Sequence, residues 1–150
     1  MAPKFTNVKT LTEKINAIGK NTGVEVMKAL QQGGLAIENT ATEGIINPPK
    51  TGRIYPSKYR KGAMHQASAP GEFPAADSGR LHQSLTTAPV ENGPQRFVVQ
   101  TGANTPYATH LELGTAKMAP RPFMGPAFDE NLEKNKTRIR NAVARAARSK

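Results

Sequence analysis

The feature that most constrains this chain is a proline-bearing stretch lying between two helical patterns. Pro48 and Pro49 stop any helix arriving from the N-terminal side, and Pro56, Pro70 and Pro74 recur before the next periodic segment begins. Proline fixes φ and removes a backbone donor, so residues 44–79 form neither a helix nor a central strand. A segment this long exceeds ordinary loops, whose median is about 4–6 residues, and such segments are either functional or solvated insertions. Two readings follow: a solvated insertion, or an arm that becomes ordered on a neighbouring subunit. Only Arg53-Ile54-Tyr55 within it has strand character.

The stretch divides the chain into zones of one 150-residue domain. Over residues 11–43, Leu11, Ile15 and Ile18, then Val26, Leu30, Gly33, Ile37 and Ala41, recur at helical spacing. Gly19 and Gly23 predict a break, with a longer helix from about Thr22, and Gly33-Gly34 predicts close approach of a neighbouring element or a bend. Gly44 is expected to cap the helix C-terminus. Residues 80–125 read as β-rich, with strands at Leu81–Val90 and Arg96–Thr101 joined by a Glu91-Asn92-Gly93-Pro94 turn. A short helix then spans about Thr105 to Leu113, with Pro106 at its first position and Gly114 at its C-cap, and a strand-like piece covers Arg121 to Met124.

Residues 126–150 form the last helix, with Phe128, Leu132, Ile139, Val143 and Ala146 on one face. Asp129, Glu130 and Glu133 lie near its start, and Lys134, Lys136, Arg138, Arg140, Arg145, Arg148 and Lys150 follow without an acid among them. That order suits the helix dipole. The predicted fold class is α+β: a small antiparallel sheet packed by a long N-terminal helix and a basic C-terminal helix, with a Pro/Gly-rich arm.

Composition narrows the function. The net charge of +10 favours nucleic acid, acidic protein surfaces or anionic lipid as partners. The C-terminal helix therefore reads as a solvated polar face, as a surface for an acidic protein, or as a DNA contact through Lys136, Arg140, Arg145 and Arg148. Lys58, Arg60 and Lys61 of the arm offer the same choice. Without cysteine there are no disulfides, thiolate metal sites or Cys nucleophiles. No apolar run approaches a membrane span and the first residues lack a signal-peptide core, so a soluble protein made in the cytoplasm is expected, with no membrane partner. Apolar residues make up 37% and aromatics 5% of the chain. Such a thin supply predicts that part of the stability comes from partners.

Catalysis finds little support. His65, His82 and His110 lie in unlike contexts, and the His110-Leu111-Glu112 triplet lacks the cysteines of a zinc deaminase. There is no phosphate-binding glycine loop and no nucleophile elbow. Neither an enzyme nor a cofactor is expected. The segment from Pro106 to Ala127 is better suited to contact: two prolines stiffen an extended piece before the last helix, and Phe123 and Met124 supply apolar surface, internal or between subunits. Glu112, beside a capped helix end, is expected to pair with an arginine such as Arg121.

At these residues the chain resembles the tail-completion and head–tail connector family of tailed phages, the HK-ninety-seven gene-product-ten family. That family carries TG-x-L-x-x-S, then P-Y-A and E-F-G-T, then a P-F-L/M-x-P-A turn into the last helix. The matching segments are Ser78-Gly79-Arg80-Leu81-His82-Gln83-Ser84, Pro106-Tyr107-Ala108, Glu112-Leu113-Gly114-Thr115 and Pro122-Phe123-Met124-Gly125-Pro126-Ala127. Ala67 to Ala75 is also similar to a segment of many members. The likeness covers about Gly44 to Phe128, with Ser78 in place of Thr and Leu113 in place of Phe. A Mu-like virion-morphogenesis family shares a similar order.

The resemblance implies a structural protein of the virion neck, made in the host cytoplasm and placed in the virion at the head–tail junction. Its partners would be further copies of itself in a ring around the DNA channel (a hexamer favoured over a dodecamer), the neighbouring connector and the tail terminator or tail tube proteins, and genomic DNA in the channel. The alternative is a free, basic DNA-binding architectural protein. On the first reading residues 44–79 reach onto a neighbouring subunit. Contacts are expected from Ile54, Tyr55, Tyr59 and Phe73 of the arm, from Arg80, Tyr107, Glu112 and Thr115, and from Arg121, Phe123 and Met124.

Overall fold

A computed structural model of the chain describes residues 8–93 and 96–148. Pro94 of the expected turn and Lys150 of the basic run lie outside these residues, as do the side chains of Leu11 and Ile15. The elements are helix α1 (Val8–Ile46), strands β1 (Ile54–Pro56) and β2 (Met64–Gln66), a helical turn α2 (Arg80–Gln83), strands β3 (Leu85–Asn92) and β4 (Phe97–Ala103), helix α3 (Ala108–Leu113) and helix α4 (Met124–Arg148). The class is α+β, as expected. The strands form two separate antiparallel pairs, β1–β2 and β3–β4, where a single sheet was expected.

α1 is continuous for 39 residues, without the expected break. Each interior glycine costs about 1 kcal/mol, less than leaving the unsatisfied backbone groups of two new helix ends without partners. Tertiary contact then supports the stretch: a Cβ on Gly23 would lie 3.0 Å from the Phe97 ring of β4. Gly44 is not a cap either. It lies inside the helix under the ring of Phe73, and the helix runs on to Ile46, where Pro48 bars continuation.

The expected close approach at Gly33 and Gly34 is present. Gly33 meets Asn135 of α4, whose Nδ2 donates to the Gly33 carbonyl at 3.2 Å, and Gly34 meets Thr87 and Thr101 of the β3–β4 hairpin. With the helix axes drawn together, small residues face inward on α4: Ala127, Asn131, Ala142 and Ala146 are buried. The larger residues of the expected face are displaced to its rim. Phe128 is 49% and Val143 43% exposed, and Leu132 and Ile139 are half-buried. Asn131 is satisfied, its Nδ2 donating to the Ala127 carbonyl and to Thr40 Oγ1, both at 2.9 Å.

The core gathers Ile37, Ala41 and Ile45 of α1, Leu81, Leu85, Ala108 and Ala127 around Phe123, with Phe73, Leu111 and Met124 packed on its edge. Residues expected to open a strand at Leu81 instead form α2. Gly79 enters it at φ +79°, and Ser84 Oγ donates back to the Leu81 carbonyl at 2.7 Å. The stretch before α4 is likewise not a strand, because Pro120 and Pro122 have no N–H to give a ladder; the Arg121 N–H goes to the Leu111 carbonyl at 2.7 Å. Gly114 ends α3 at φ +75°, as anticipated. Among the described residues, no helix is long and apolar enough to cross a membrane.

Candidate docking cleft

The proline-bearing stretch is folded onto its own chain rather than extended from it. Ala76 N–H donates to the Ile45 carbonyl at 3.3 Å, Gly71 N–H to the Pro120 carbonyl at 2.9 Å, and Arg121 Nε to the Ser68 carbonyl at 3.1 Å. Glu72 ties the segment internally, accepting from Thr51 Oγ1 at 2.6 Å and from the Ala69 N–H at 2.7 Å. The Thr51 hydroxyl, then the Ala69 N–H, and least of all the nearby Arg121 charge hold its carboxyl below the usual range.

Ser57 shapes the β1–β2 turn. Its Oγ accepts the N–H groups of Tyr59 at 3.2 Å and Arg60 at 3.1 Å while donating to Asp77 Oδ1 at 2.6 Å. The same carboxylate lies 3.7 Å from Nδ1 of buried His65, whose ring tilts against Tyr55 with centroids 5.2 Å apart. Serine, histidine and aspartate are thus adjacent, but the hydroxyl is bound to the carboxylate and no hydrogen bond joins Ser57 to His65. A nucleophile needs the base on its own proton, so the trio braces the turn.

This bracing forms one wall of a cleft of about 630 Å³ between the β1–β2 hairpin and the body. Tyr55, Lys58 and Tyr59 line the hairpin side, Arg80 and Tyr107 the body side, and Arg121 also lines the space, with apolar Ile45, Leu81 and Leu111 among them. The chain has three tyrosines, and all three line this cleft. Tyr59 is 63% exposed; Ile54 and Met64, also exposed, alternate with Tyr55 and His65 and so lie on the other face of the hairpin. Tyrosine and arginine anchor protein interfaces because each offers a large, stiff contact area with a polar end.

Of the expected contact residues, the structure therefore brings Tyr55, Tyr59, Arg80, Tyr107 and Arg121 together, with Lys58, and sets Ile54, Arg60 and Lys61 on the exposed hairpin. The others lie elsewhere. Phe123 is 1% exposed at the centre of the chain's own core, so its contacts are internal, and Phe73 is half-buried against Gly44. Glu112 does not pair with Arg121. Its carboxylate accepts the backbone N–H groups of Phe123 at 2.8 Å, Met124 at 3.0 Å and Gly125 at 2.9 Å, capping α4 from another element. Thr115 is exposed in a small turn closed by its N–H to the Met118 carbonyl at 2.8 Å, and Met124 lines a second groove.

That second groove, about 780 Å³ between α1, β4 and α4, is lined by Leu30, Val98, Phe128, Leu132 and Ile139 and was not anticipated. Nor were Ser57, His65 and Asp77; their spacing in sequence carries no signal, because only the hairpin brings them together. On α4, Lys136 is paired with Glu133 at 2.7 Å and Arg145 with Glu25 at 3.4 Å, while Arg140 and Arg148 are exposed. Lys136 holds the Glu133 carboxyl below its usual range, and Lys28 first, then Arg145, does the same for Glu25. Part of the basic helix is thus neutralised within the chain. Among the described residues, no cluster of side chains is arranged to hold a metal ion. No family model, curated protein or solved structure matches the chain.

Proposed function

We propose that this chain is a structural protein of a tailed-phage neck, acting in tail completion or head–tail joining as one copy of a ring around the DNA channel. The observation that carries the reading is the cleft: all three tyrosines line it, together with Lys58, Arg80 and Arg121. Such a surface suits docking against another folded chain, since aromatic anchors and arginine dominate binding energy at interfaces. The order of motifs from Ser78 to Ala127 supports the family reading, and two of its segments have structural roles here: Glu112 caps α4 and Phe123 centres the core.

A second reading, a DNA-binding architectural protein, draws on the exposed Arg140 and Arg148 and on Arg60 and Lys61 of the hairpin. Light scattering and a gel shift at several salt concentrations separate the two. The neck reading expects a discrete oligomer with weak DNA affinity. A monomer that binds DNA tightly, with affinity falling steeply as salt rises, supports the second.

A further inference from the structure

We infer that the second half of α4 is a contact surface for the phosphate backbone of duplex DNA, engaged without regard to base sequence. This rests on the ring reading, in which DNA passes through the channel, and names the face that would meet it. α4 runs antiparallel to α1, with Asn135 against Gly33 and Arg145 against Glu25. Over residues 133–148 of α4 and 16–37 of α1 there are eight lysines and arginines against two acids, Glu25 and Glu133. One end of the helix pair thus gathers +6 of the chain's formal +10. Both acids are already engaged, by Lys28, Arg145 and Lys136. Lys134, Arg140 and Arg148 are exposed and make no ion pair among the described residues.

What lies between the cations favours DNA over an acidic protein as the occupant. The other exposed residues from Lys134 to Arg148 are Thr137, Asn141, Ala144 and Ala147, with Val143 the one larger apolar side chain exposed there. Protein interfaces draw their binding energy from aromatic and apolar anchors, which this half of the helix lacks. Phosphate needs none. Cations displace counterions from the duplex, and hydroxyl and amide side chains add hydrogen bonds to its oxygens. From Lys134 to Arg148 the helix runs roughly 21 Å, at about 1.5 Å a residue. That length matches about six base-pair steps of ~3.4 Å, enough for several phosphate contacts.

Anisotropy of a fluorescent duplex of random sequence, read across a salt series, tests the surface. The unaltered chain should bind weakly and lose affinity as salt rises. Lys134→Gln combined with Arg140→Gln and Arg148→Gln should weaken binding about tenfold or more at low salt. It should also lower the slope of log affinity against log salt by about 0.9 for each phosphate contact removed. The same exchange at Lys58, Arg60 and Lys61 of the hairpin should do much less. Circular dichroism checks that both variants are folded, and sedimentation velocity should find the oligomeric state of the α4 variant unchanged. Affinity that survives in the α4 variant, or falls only in the hairpin variant, overturns the proposal. So does an α4 variant that binds DNA normally but no longer self-associates, which would make the helix a subunit contact. Equal binding of a labelled polyglutamate, with the same loss in the α4 variant, points to an acidic protein and overturns it too. A discrete oligomer that binds no duplex even at low salt overturns this surface and leaves the ring reading standing. A monomer that binds duplex tightly through Lys134, Arg140 and Arg148 supports the surface and overturns the ring reading.

Discussion

Glu112 and Met124 are joined across two elements: the α3 carboxylate accepts the N–H that opens α4 at 3.0 Å, and takes the N–H groups of Phe123 and Gly125 as well. A negative group at a helix N-terminus meets both the unsatisfied donors and the positive end of the dipole. Glu112→Ala should destabilise the fold by about 1–2 kcal/mol, lowering Tm by roughly 2–8 °C. Glu112→Gln should recover part of the loss, as it retains an acceptor without the charge. Thermal and denaturant melts of the two variants check this.

Phe123 and Tyr59 should respond in opposite ways. Phe123 is 1% exposed within the core, so Phe123→Ala should cost about 3–5 kcal/mol of stability. Tyr59 is 63% exposed, so Tyr59→Ala should change stability by no more than about 0.5 kcal/mol while weakening self-association. Urea melts and sedimentation on the same samples separate folding from docking.

Two glycines of α1 should give opposite signs for one substitution. Gly19 has nothing within 4 Å of the position a Cβ would take, so Gly19→Ala should stabilise by up to about 1 kcal/mol through helix propensity. At Gly34 the same Cβ would stand 2.8 Å from Thr101 Oγ1 and closer still to Thr87, so Gly34→Ala should destabilise by about 1–3 kcal/mol despite its better propensity. Denaturant midpoints measure both.

The contrast between these glycines marks how much the sequence reveals. The core face of α1 was legible as far as Gly33, Ile37 and Ala41, which repeat at one helical spacing, but not at Ile45, which lies beyond the expected stop at Gly44; Gly114 was legible as a cap because it follows a short apolar helix. The continuity of α1 was not, since what supports Gly23 is the ring of Phe97, far along the chain. The inward face of α4 was misjudged for a similar reason: close packing at Gly33 selects Ala127, Asn131 and Ala142 over the larger Phe128 and Val143. In the candidate site, the tyrosines and cations stood out by type, whereas the bracing of their turn by Ser57, Asp77 and His65 depends on contacts that no local pattern encodes.

The hairpin segment should loosen in acid. Hydrogen bonds from Thr51 and Ala69 keep the folded-state pKa of Glu72 below the ordinary 4.5. A depressed carboxylate contributes stability that is fully present above the unfolded value and is lost as pH falls through the folded one. Protection of residues 51–72 against hydrogen exchange or proteolysis should therefore fall below about pH 4.5. Glu72→Gln should leave the segment less protected at neutral pH and flatten that dependence.

Quantitative mass spectrometry of purified particles, assembled from the genome that encodes this chain, tests the central claim most directly. A closed ring at the head–tail junction, hexameric or dodecameric as the family resemblance implies, predicts about six or twelve copies per particle. Particles that are complete and infectious without the chain would contradict the account.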